Sequence, residues 1–168
     1  EALFINPMSL QKIKKIDDSL YNGERIVMQG ITGVNEFKRL KMTLSDHSYC
    51  ANSVNYCLFT EGKMNAKYAL ALLNSKLLNY IFKLQSTNSN GYEVDNLPIV
   101  ISTEPQKYID IVCSILFAKR QNSNADTSIE EQTIDKMVYK LYSLSYDEVL
   151  IVDPQTSITR EEYEAVDD

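Results

Sequence analysis

The sequence predicts an α+β fold: a small antiparallel or mixed sheet packed by a long central helix, with a C-terminal helical cluster. Three observations carry this. Strand-like runs and alternation fall between residues 25 and 60, bounded by glycine punctuation. One long stretch, Tyr68 to Phe82, has its apolar residues at three- and four-residue spacings. From Thr103 onward the apolar patterns are helical and begin at capping signals. A length of 168 residues, with 44% hydrophobic and 24% charged residues, suits one globular domain or one domain with a small appendage. The expected division is a core of residues 1–120, a polar linker over 121–127 and a helical segment over 128–168 packed on that core.

In chain order, Ser9 caps an expected helix from Leu10 to Tyr21, with Ile13, Ile16 and Leu20 on one side and Gly23 as its stop. Arg25 to Gln29 is a short apolar strand ended by Gly30 and Gly33. Phe37 to Leu44 alternates, with Leu40, Met42 and Leu44 facing one way and Arg39, Lys41 and Thr43 the other. Val54 to Thr60 is a third strand, and the short connections favour antiparallel pairing. The central helix then runs as one piece from an Asn65 N-cap to the polar stretch Gln85–Gly91. Leu97 to Ile101 is apolar and extended, since Pro98 keeps Leu97 out of helix. Helices follow from Thr103-Glu-Pro105 to Arg120, from a Ser128/Glu131 capping box, from a Ser145/Glu148 box, and as a last turn over Thr159–Glu162.

Net charge is −6, but unevenly spread: residues 1–90 carry +4 and residues 91–168 carry −10. The asymmetry allows a modestly basic face in the first half and an acidic side turned elsewhere. The three cysteines are irregularly spaced, which fits a reduced, cytoplasmic setting. The chain starts at Glu1 with no charged-then-apolar leader and reads as an excised piece of a longer protein; no apolar run is long enough for a membrane span.

No phosphate-binding glycine loop, dinucleotide fingerprint or nucleophile elbow occurs, so no catalytic residue is expected in this segment. His47, Cys50 and Cys57 offer three soft ligands where a closed zinc site takes four, so no metal is expected. The acidic pairs Asp17/Asp18, Glu130/Glu131 and Glu161/Glu162 sit on helices or at their starts and complement the helix dipole. Arg39 and Lys41, on one strand face with Thr43, suit phosphate contact and base-edge readout; a solvated strand face is the plain alternative. Tyr56, Tyr68, Tyr80, Tyr139 and Tyr142 stand at core-like spacings and read as packing residues.

The run Ala71-Leu-Leu-Asn-Ser-Lys-Leu77, followed by Asn96-Leu-Pro-Ile99, resembles the TaqI-like C-terminal specificity domain, the target-recognition part of adenine-specific DNA methyltransferases and fused restriction–modification enzymes. Arg25-Ile-Val-Met-Gln29 is similar to the family's opening strand, and Asn52-Ser-Val-Asn-Tyr56 to the segment before its helix. Ile134 to Val149 is similar to the helical tail of fused enzymes, extending the resemblance from Arg25 to Val152. The resemblance implies recognition of double-stranded DNA beside an upstream methyltransferase domain that holds S-adenosylmethionine. No Asn-Pro-Pro-Tyr or Asp-Pro-Pro-Tyr motif of such a domain lies in these residues, so no cofactor is expected here. On exposure and chemistry, Arg39 and Lys41 are the expected phosphate or guanine contacts, and Gln29, Asn52, Ser86, Asn88 and Asn90 the amide or hydroxyl readers. Two other readings stand beside this one. One is a protein-interaction or assembly module; the other is half of a type I specificity subunit, for which the sustained heptads of a long spacer are missing.

Overall fold

A computed structural model describes residues 24–30, 33, 37–46, 50, 53–57, 64–86 and 91–165. The helix expected over Leu10–Tyr21 lies outside them. Within them the fold is α+β, as the periodicities predict. Strands β1 (Arg25–Gln29), β2 (Met42–Ser45) and β3 (Val54–Cys57) form one antiparallel sheet in the order β2-β1-β3. The register sets Val27 opposite both Thr43 and Tyr56, and Gln29 opposite Val54. Alternation then gives the sheet two faces. Ile26, Met28 and Met42 are buried on the inner one. Gly30 continues the ladder by donating its N–H to the Ser53 carbonyl at 2.7 Å, an approach that leaves no room for a Cβ.

The long central helix is two helices. α1 (Ala66–Asn74) and α2 (Lys76–Gln85) meet at Ser75, whose extended backbone ends one and starts the other. Periodicity alone cannot see this break, because the apolar spacing carries straight across it. The Ser75 hydroxyl donates to Leu72 O at 2.6 Å and accepts from the Leu78 N–H, so one side chain serves both helix ends. At the other end of α1, Asn65 is the N-cap, accepting from the N–H groups of Lys67 and Tyr68.

α1 lies on the inner face of the sheet, and its buried stripe, including Leu70, Leu72 and Leu73, fills the core from below. After a 3-10 turn (Gly91–Asn96), residues 98–102 have no regular secondary structure and do not join the sheet. Two tyrosine hydroxyls pin them: Tyr68 donates to Val100 O and accepts from Ser102 N–H, and Tyr142 accepts from Val100 N–H. Helices α3 (Pro105–Gln121), α4 (Ser128–Leu141), α5 (Tyr146–Val152) and α6 (Arg160–Glu164) form the C-terminal cluster. α3 packs along α1, and α4 against α2 and α3.

Capping boxes are present at Ser145/Glu148 and Thr159/Glu162. The one expected at Ser128 is not. Ser128 is already helical because Asp126 Oδ1 accepts its N–H in a tight turn, and Thr127 is the N-cap. No helix among the described residues is long and apolar enough to cross a membrane.

Candidate nucleic-acid interface

The edge strand β2 exposes one row of backbone groups that β1 cannot reach, and the helices cover part of it. Asn74, the last residue of α1, accepts the Met42 N–H on Oδ1 at 3.0 Å and donates Nδ2 to Met42 O at 2.9 Å. Its amide thus replaces a missing strand at that residue. Asn79 on α2 does the same upstream: Oδ1 accepts the N–H groups of Arg39 and Leu40, and Nδ2 donates to Phe37 O. Two asparagines, both inside apolar helix stretches, therefore fix where residues 37–42 lie.

This anchoring decides the fate of the two expected cations. Lys41 is exposed, as alternation predicts. Arg39 is not: it is 1% exposed, and the expectation that it shares an accessible face with Lys41 is corrected. Arg39 precedes β2, and with its backbone held on Asn79 the side chain turns inward instead of alternating outward. Its guanidinium donates to Ser86 O at 2.7 Å and to Ser86 Oγ at 3.2 Å, and stacks 4.9 Å over the Phe82 ring. Ser86, expected as a hydroxyl reader, is itself buried and serves as Arg39's acceptor. Arg39 and Ser86 are brought together, but as an internal clamp on the end of α2.

Gln29 and Lys41 are brought together on the outer face of the sheet. Continuing the β1–β2 register by one residue sets them opposite each other. Both line a shallow depression of about 460 Å³ with Thr43, Ser53 and Val54. Asn52, Asn88 and Asn90 lie outside the described residues. Tyr56 was expected in the core, yet it is 42% exposed on this same outer face, paired with Val27. The pairing parity that reveals it needs the register, which spacing within one strand does not give.

A deeper cavity of about 670 Å³ opens beyond β2, between residues 37–43 and helices α1, α2, α3 and α4. Its lining includes Lys38, Lys41 and Lys119, but also Met42, Leu70, Val112 and Ile134, whose side chains offer nothing to a phosphate. At one end Asp135 on α4 is buried and accepts the Lys76 N–H at 2.8 Å, capping the first turn of α2. Burial pushes its carboxyl up to about 6, against the lowering influence of the Lys76 N–H bond and the charges of Lys76 and Lys38. Lys76 Nζ in turn pairs with buried Asp153 at 2.6 Å. These groups fasten the helical cluster to the Asn-Ser-Lys helix junction. The outer sheet face, with amide, ammonium and hydroxyl groups together at an accessible surface, has the chemistry of a nucleic-acid contact.

The family profile of the TaqI-like C-terminal specificity domain matches residues 4–99. No curated protein and no solved structure matches the chain at a significant level. The match spans more than half of the chain and takes in the sheet, α1, α2 and the Asn74-Ser75 junction. It stops before α3, so the similarity expected over Ile134–Val149 is not part of it. A specificity domain serves DNA target recognition in restriction–modification, and the chain belongs to the family of TaqI-like C-terminal specificity domains.

Proposed function

We propose that this chain selects the DNA target of a restriction–modification enzyme that methylates adenine, and that the outer face of its sheet is the surface turned to the duplex. The observation that carries the reading is the meeting of Gln29, Lys41 and Thr43 on one accessible face inside the family-matched segment. Lys41 would contact phosphate, where a flexible ammonium serves as a point charge. Gln29 has the donor and acceptor pair that matches N6 and N7 of adenine. Asn52, Asn88 and Asn90 supply further amide readers in this proposal. An upstream methyltransferase domain of the same parent would hold S-adenosylmethionine and receive the target base once it is flipped. This chain's part is to grip the duplex at one sequence.

The test is selection of duplexes from a random pool by the full-length parent, followed by anisotropy titration of the enriched and scrambled duplexes at several salt concentrations. An enriched sequence bound more tightly than its scramble supports the reading. Equal binding to both would contradict it.

A further inference from the structure

Alternation on a solvent-facing sheet normally places polar residues outward, and on this outer face the β2 column obeys, with Lys41 and Thr43. In the neighbouring columns Gln29 is polar and exposed and Arg25 is polar but buried, whereas three positions are apolar. Val27 and Val54 are half-buried and Tyr56 is exposed, and the three are contiguous: Tyr56 stands directly opposite Val27, and Val54 is two residues from Tyr56 on the same side of β3. Gln29 stands directly opposite Val54. An apolar strip thus lies against the Gln29 amide, with the Lys41 ammonium and the Thr43 hydroxyl along its other side.

In the major groove the apolar group of a base pair is the thymine C5 methyl, and the adenine paired with it shows the N6/N7 pattern a glutamine amide matches. Three strands span about 10 Å from first to last, which fits a major groove about 12 Å wide. We infer that Tyr56, with Val27 and Val54, contacts a thymine methyl group in the DNA target, which makes Tyr56 a specificity-determining residue and Gln29 and Tyr56 joint readers of A·T pairs. The inference rests on the target-recognition reading and adds the base feature that the face detects.

Replacing thymine by uracil removes the methyl group and leaves the base-pair hydrogen bonds intact, so it isolates this contact. The selected duplex is resynthesised with uracil at each thymine in turn and titrated against the full-length parent and its Tyr56→Ala, Tyr56→Val and Tyr56→Phe variants. The parent should lose about fourfold in affinity at one or more thymines, the equivalent of one methyl group returned to water. Tyr56→Phe should keep that sensitivity. Tyr56→Ala should bind the thymine duplex more weakly and no longer distinguish uracil at that position, with its salt dependence unchanged. Tyr56→Val, whose β-branched side chain suits the strand, should behave likewise and guards against an alanine variant that unfolds. A parent indifferent to uracil at every thymine, or a Tyr56→Val variant as sensitive as the parent, overturns the inference while leaving target recognition standing. A parent that enriches no sequence at all overturns both.

Discussion

Arg39 and Lys41 are two residues apart and carry the same charge, yet they should respond to substitution in opposite ways. Lys41→Ala should weaken binding to every duplex alike and reduce the salt slope by about one phosphate contact, read by titration at several salt concentrations. Arg39→Ala should act on stability instead. It removes two hydrogen bonds to Ser86 and the stacking on Phe82 from a buried site. A loss on the order of 2–4 kcal/mol in urea unfolding is expected. Asp135 gives a pH signature. Its carboxyl, near 3.9 in an unfolded chain, stands at about 6 in the fold. Its favourable contribution is therefore complete below about pH 4 and is lost as pH rises through 6. Asn can still accept the Lys76 N–H, so Asp135→Asn should gain stability relative to the parent as pH goes from 4 to 7; an unchanged difference would contradict this. The Tyr139 hydroxyl is buried and finds no hydrogen-bond partner among the described residues. Tyr139→Phe should leave stability unchanged or raise it by about 1 kcal/mol in the same unfolding experiment.

At the scale of elements, the Leu-Asn-Ser-Lys-Leu run acquires a physical meaning. Asn74 stands in for an absent strand beside Met42, Ser75 caps two helices at once, and Lys76 receives Asp135 and Asp153 from the helical cluster. Asn79→Ala should cost about 2–3 kcal/mol, because it orphans the N–H groups of Arg39 and Leu40, both in buried residues. Thermal or urea unfolding reads it directly.

The same elements show what was legible beforehand. Strand β1, the Asn65 cap, the Ser145 box and the last turn from Thr159 are local, so a few neighbouring residues specify them. The inward turn of Arg39 was not legible, since it depends on bonds to Asn79 and Ser86, far along the chain; the break at Ser75 rests on local bonds but was hidden because the apolar spacing carries straight across it. Asparagines inside an apolar stripe were the one available hint: an amide in such a place needs partners. Of the expected contacts, Gln29 and Lys41 emerged on one face because the β1–β2 register continues through them; Arg39 did not because its backbone is held on Asn79 and its side chain turns inward.

At the scale of the molecule, the family match and the folded unit do not coincide. The match ends at residue 99, but α1 is covered on one side by α3, and Tyr68 stacks edge-on against Tyr108 at 5.3 Å. Tyr108, Val112, Ile134, Val138 and Val149 belong to one continuous core with the sheet and α1. A piece truncated after residue 99 should therefore lose cooperative unfolding and expose apolar surface, seen as a flattened melt and dye binding, whereas the whole chain melts in one transition. The acidic second half then has a structural duty, closing the core behind a sheet whose other face exposes Gln29, Lys41, Thr43 and Tyr56.

That accessible face is the centre of the account, and the salt dependence of DNA binding by the full-length parent tests it most directly when measured beside Lys41→Ala. The account expects sequence-selective binding that falls with salt, and a Lys41→Ala slope shallower by about one unit with the fold intact. Selective binding with a slope identical in parent and variant would contradict the placement of the duplex on this face.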